Sequence, residues 1–279
     1  MKPENALVDY NSLLKTFLIS VASAIFSFLL VFFFSNYASL FFAYDFDIPA
    51  SFNLEGISFS TAIDSHYLSK DAMVTILLSN PISGVIGGVI FLFILMIGTK
   101  KPVSVIMLLF WLNVFAFNSA FGLLIDDAVA KAGTYEVAVI MNINNIYLLA
   151  MGVLLAFILF KIGMMNGKLI MLSFPNQKLS ALRGRIIFFT VIFLIPWMLV
   201  IIFTFFSQGF TLSFSGVLKN MPVIILLVPF LTAEKPENLD FKYLPTERFS
   251  KKDIIFSVLF ILISVILVVV MRNGISISS

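Results

Sequence analysis

The chain has 279 residues, 60% of them hydrophobic and only 12% charged, with a net charge of +3. Soluble domains carry about 25% charged residues, so a water-soluble globular fold is excluded, and so is a disordered chain. With a mean hydropathy of +1.07, the class is a multi-span membrane protein.

About 20 apolar residues cross the hydrocarbon core as a helix. Seven stretches qualify: residues 13–37, 73–97, 103–125, 137–160, 186–206, 212–231 and 254–271. The sixth is interrupted by Lys219, Pro222 and Pro229. These runs are apolar all round, unlike the short alternating segments of a membrane barrel. The first run is too long for a cleaved signal peptide and reads as an uncleaved signal anchor. The prediction is an all-α polytopic bundle of about seven transmembrane helices, forming one transmembrane domain over residues 1–279.

Basic residues in the loops set the orientation. Seven spans place Lys2, Lys15, Lys100, Lys101, Lys161, Lys168, Lys178, Arg183, Arg185, Lys235, Lys242, Arg248, Lys251 and Lys252 on one side. The other side holds Lys70, Lys131 and Arg272. This asymmetry predicts a cytoplasmic N-terminus and an outside C-terminus. Removing the sixth span would put the basic loop 232–253 on the wrong face. The same placement explains the pI near 9.0 without nucleic acid, because the charges flank spans.

The third and fourth spans carry the most informative polar residues. Asn118, Gly122 and Asp126 are spaced by four and share a helix face, and Asp127 follows. Asn142 and Asn145 share a face of the next span, which a short loop makes an antiparallel neighbour. Asn118, Asp126, Asp127, Asn142 and Asn145 therefore form a candidate polar pocket, open outward, for a cation, a proton or a polar substrate group. The competing expectation is that the asparagines cross-link helices while the aspartates sit in interfacial water. In the second span, Gly84 and Gly88 make a small-x-x-x-small face for close helix packing, and Pro81 introduces a local kink.

Other chemistries find little support. There are no cysteines, which excludes disulfides, thiolate zinc sites and cysteine nucleophiles. The single histidine, His66, excludes the H-E-x-x-H zinc pattern. It shares an outside loop with Asp45, Asp47, Glu55, Asp64 and Asp71, without recognised ligand spacing, and ordinary solvation accounts for it. Ser213-Phe214-Ser215-Gly216 lacks the first glycine of the rhomboid-protease motif. Intramembrane aspartyl proteases pair a Y-D with a G-x-G-D; Tyr44-Asp45 matches the first, but no G-x-G-D occurs to complete the pair. Thr246 precedes a short helix leading into the last span, but Glu247 comes too soon for a capping box. No metal and no cofactor is expected. The basic loops 162–185 and 232–253 serve topology or attract anionic lipid headgroups.

Asp64-Ser65-His66-Tyr67-Leu68 before a span, then Asn80-Pro81, then Trp111 to Gly122 with Asn118 ahead of Phe121-Gly122, resembles a family of bacterial multi-pass inner-membrane proteins. The resemblance covers about residues 63–162 and implies no chemistry, because that family has no assigned activity. The helix layout is also similar to intramembrane zinc proteases of the site-2 type. Their metal motif is missing here, so kinship would imply a chain without that activity. The expected function is a non-catalytic inner-membrane scaffold or accessory subunit. It would contact the lipid bilayer and other membrane-protein subunits or further copies of itself. The alternatives are a small transporter or channel subunit using the polar pocket, or a lipid-handling membrane enzyme.

Overall fold

A computed structural model describes residues 10–59, 69–97, 101–131, 133–174, 179, 182–207, 220–233 and 250–277. Helix α1 (Tyr10–Asp45) leads into a hairpin, β1 (Ala50–Asn53) and β2 (Gly56–Phe59), followed by α2 (Lys70–Met96). Next come α3 (Val103–Phe117), a π-helical turn at Asn118–Gly122, α4 (Leu123–Ala130), α5 (Tyr135–Ile140) and α6 (Asn145–Ser173). Then α7 (Leu182–Phe189) passes through a second π turn, Thr190–Leu194, into α8 (Ile195–Ser207). A short α9 (Val223–Leu227) continues as a 3-10 turn, Val228–Leu231, before α10 (Lys251–Arg272) and β3 (Ile275–Ile277).

Among the described residues, six helical segments are long and apolar enough to cross a membrane: α1, α2, α3–α4, α6, α7–α8 and α10. The chain is thus a helical membrane bundle. In hydrocarbon the backbone has to satisfy itself, and these sequences do so as helices. The expected sixth span differs. Its described part, from Asn220, is a short helix because Pro222 and Pro229 bracket it and neither gives an N–H. Residues 212–219, the loop around His66, Ser213–Gly216 and the Thr246 segment lie outside the described residues.

Helix α3 is the most enclosed, while α2, α6 and α10 turn most of their surface outward. Trp111 is fully buried among Phe110, Phe115 and Phe193, and Phe230 of the 3-10 turn stacks into the same cluster. On α1, Thr16, Ser20, Ser23, Ser27, Ser35 and Ser39 are all buried. Their spacing of three, four and eight keeps small side chains on the face that meets the other helices, so backbones approach closely. Ser27 Oγ donates to the Leu108 carbonyl, 3.3 Å. Ser20 Oγ donates to the Ile192 carbonyl, 2.6 Å, and accepts from Trp111 Nε1, 2.9 Å. Pro196 stands four residues past Ile192 and has no N–H to offer that carbonyl. Ser20 therefore satisfies a backbone group that the α8 proline leaves open.

The segment 220–233 runs along α6. Pro222 packs against Gly122, and a Cβ at Gly163 would collide with the Leu226 carbonyl. A Cβ at Gly167 would lie 3.1 Å from the Cβ of Ala233. At the far end Arg185, at the start of α7, donates to the carbonyls of Leu231 and Ala233 at 3.3 and 3.0 Å. A residue expected to mark topology thus also caps the last carbonyls of this broken helix.

Three strands form outside the spans. The sheet order is β2-β1-β3, with Ala50 opposite both Phe59 and Ile277. Asn53 Oδ1 accepts from the Glu55 N–H at the turn, and Gly56 takes φ 121°, a value glycine allows. The sheet has no core of its own. Fully buried Phe52 packs edge-on against Phe33 of α1, ring centres 5.6 Å apart. Because β3 pairs with β1, the end of α10 and the end of α1 lie at the same end of the bundle.

The fourth span also differs from expectation. Asn142 adopts φ 54° and Asn144 caps α6 by accepting from the Ile146 N–H, so the helix starts at Asn145 rather than near 137. It then continues past residue 160 to Ser173, which puts Lys161 and Lys168 on the helix and not in a loop.

Candidate functional site

The richest polar region lies in the half of the bundle that carries the sheet, where α1, α2 and the π turn of the third span meet. The Leu123 N–H bonds back to the Asn118 carbonyl, five residues away, which widens one turn and brings Ser119 toward its neighbours. Ser119 Oγ donates to Asn80 Oδ1 at 2.6 Å and lies 3.1 Å from Ser35 Oγ. One turn further out on α1, Ser39 Oγ and Ser79 Oγ are 2.8 Å apart, and Ser79 also donates to the Ile76 carbonyl, 2.7 Å. Asn36 Nδ2 donates to the Phe32 carbonyl. Three helices are therefore tied by neutral hydroxyl and amide groups.

Glycine makes this approach feasible. A Cβ at Gly84 would lie 2.7 Å from the Ala116 carbonyl oxygen and 2.8 Å from the Ala120 nitrogen. At Gly88 it would meet the Phe117 ring at 2.9 Å. Gly84, Gly88 and Pro81 are all buried, so α2 lies directly on the backbone of the third span around its π turn.

The five residues of the expected pocket divide by burial. Asn118, Asp126 and Asp127 are buried, whereas Asn142 and Asn145 are exposed. The late start of α6 is the reason, because it leaves Asn142 in the preceding turn and Asn145 at the helix mouth. Asn145 Oδ1 accepts from the Tyr135 hydroxyl at 3.4 Å. Asp127 has a structural task. Its Oδ2 accepts from both the N–H and the hydroxyl of Thr134, each at 2.8 Å. Its own carbonyl takes the N–H of Lys131, which adopts φ 53°. Asp127 thereby closes the α4–α5 turn. Asp126, one position earlier, is 7% exposed, so both carboxylates sit away from the interfacial water expected of them.

Two further polar junctions join residues that the sequence alone does not pair. Asn113 Nδ2 donates to the Gly88 carbonyl at 2.9 Å, and Asn166 Nδ2 donates to Asn113 Oδ1 at 2.7 Å. This links α2, α3 and α6, with both amides essentially inaccessible. Asn166 lies beyond the expected end of the fourth span, on the part of α6 that hydropathy leaves out. At the opposite end of the bundle from the sheet, Asp253 Oδ1 accepts from Ser104 N–H and Oγ at 3.0 and 2.9 Å. Its Oδ2 accepts from Ser250 N–H and Oγ at 2.9 and 3.1 Å. One carboxylate thus joins the starts of α3 and α10. The sequence signal was present: Ser250 followed three residues later by Asp253 before an apolar run.

Hydroxyl, amide and carboxylate groups here bond helices to one another, and these bonds fix relative helix position. Among the described residues no three histidine, aspartate or glutamate side chains come together as metal ligands would. No family model matches the chain, and no curated protein or solved structure matches it either.

Proposed function

We propose that this chain is a non-catalytic integral protein of a bacterial inner membrane, acting as a scaffold or accessory subunit of a membrane complex. The carrying observation is the use made of its buried polar groups. Ser20, Ser35, Ser119, Asn80, Asn113, Asn166, Asp127 and Asp253 each bond another helix or a backbone group. Such bonds spend polar side chains on shape. The Lys-rich loops and the resemblance over residues 63–162 favour the bacterial inner membrane.

The proposed topology is N-in and C-out with seven crossings. Pairing of β3 with β1 supports an odd number, because α1 and α10 then run the same way. Residues 220–233 favour the sixth crossing, lying between Gly122, near the outward end of the third span, and Arg185 at the opposite end. Tyr37, Tyr44 and Tyr147 are exposed near the outward helix ends, where tyrosine suits the membrane–water interface.

A second reading, a small transporter or channel subunit, is favoured by the burial of Asp126 within the outward half of the third span. One experiment separates the two. Extraction in mild detergent should yield a stoichiometric complex or a homo-oligomer that moves no ions when reconstituted. A strictly monomeric particle that conducts in liposomes, and stops doing so as Asp126→Asn, would overturn the accessory reading.

A further inference from the structure

Lys161 is a cation on the outer surface of a membrane helix. It lies sixteen residues from Asn145 and twelve from Ser173, the two ends of α6. At 1.5 Å per residue it is about 24 Å from one end and about 18 Å from the other. A hydrocarbon layer about 30 Å thick, centred on this helix, has Lys161 within a few ångströms of its mid-plane. Packing gives the same depth. Asn166, five residues on, bonds Asn113, which is itself ten residues into α3.

The side chain faces straight outward. α6 enters the bundle through Leu159, Gly163, Asn166 and Ile170. At 100° per residue Lys161 lies on the opposite side of the helix. It is exposed there together with Leu154 and Phe157. Its ammonium sits over the Phe157 ring, 5.2 Å from the centre, and pairs with no carboxylate among the described residues. A lysine side chain reaches about 6 Å, less than half the distance from the mid-plane to either headgroup layer. Lipid therefore cannot satisfy this charge where it stands.

Resting on the accessory-subunit reading, we infer that this face of α6 docks a transmembrane helix of a different protein, which places a carboxylate against Lys161. A second copy of the chain is the poorer occupant. Asp126, Asp127 and Asp253 are buried, and Asp45 and Asp71, the exposed acidic residues of the described spans, stand at the helix ends, far from the mid-plane.

The test places a photoreactive residue at Leu154 in cell membranes and identifies its adducts by mass spectrometry. The expected adduct is a membrane-spanning peptide of another protein with Asp or Glu within a turn of the linked residue. Its yield should fall about ten-fold in Lys161→Met and persist in Lys161→Arg. Both variants keep the bundle intact, since Leu154, Phe157 and Lys161 are exposed on this face. Lipid adducts alone, a peptide of this same chain, or a foreign peptide indifferent to Lys161→Met would overturn the inference. A parallel probe at Ile266 on α10 separates the two claims. Protein adducts there with lipid alone at Leu154 overturn this face and leave the accessory reading standing, whereas lipid alone at both overturns both.

Discussion

Gly84 and Gly152 show what single residues contribute. At Gly84 an added methyl meets backbone atoms of the third span at 2.7 and 2.8 Å, and backbone cannot rotate away. Gly84→Ala should destabilise the bundle by about 1–3 kcal/mol, the usual cost of overpacking. Gly152 has nothing within 4 Å of its missing Cβ. Gly152→Ala should be neutral or stabilising by up to about 1 kcal/mol, from helix propensity alone. Thermal unfolding of both variants in detergent checks the contrast, and equal effects would contradict the packing described. The Gly84–Gly88 spacing was legible in the sequence because a four-residue step fixes a helix face whatever surrounds it. The positions of Asn142 and Asn145 are not legible because a left-handed Asn142 and a capping Asn144 look the same in sequence as asparagines within a helix.

Among the elements, α10 and α6 differ in how far their boundaries could be read. The α10 start is set by one carboxylate serving four donors on two helices. Asp253→Ala should cost about 2 kcal/mol, combining a lost cap with orphaned donors on α3. Asp253→Asn, which keeps an acceptor, should cost less, and Lys252→Ala should stay within about 0.5 kcal/mol. Denaturation in detergent gives that order, and a silent Asp253→Ala would contradict the junction. The limits of α6 are hard to read because its first polar run resembles helix interior and Lys161 resembles a loop residue. Hydropathy alone places a lysine outside the membrane, since central burial costs about 2.5–3.5 kcal/mol on an insertion scale. The π turns were not legible either. A five-residue hydrogen bond is chosen by what packs alongside, here Gly84 against Ala116 and Ala120.

For the whole molecule, composition sufficed for the membrane class, because no arrangement of 12% charged residues covers a soluble surface of this size. The sheet could not be foreseen. Its strands are three and four residues long, and β3 pairs with β1 from the far end of the chain. That pairing ties the C-terminal ends of the first and last helices together. The proposed sixth crossing requires the two ends of the chain to lie on opposite sides of the membrane. A reporter active only in the cytoplasm, fused after Ser279, is the most direct measurement. It should be silent there and active when fused after Ala233, beside Arg185 at the cytoplasmic end. Cytoplasmic activity after Ser279 would contradict the odd number of crossings.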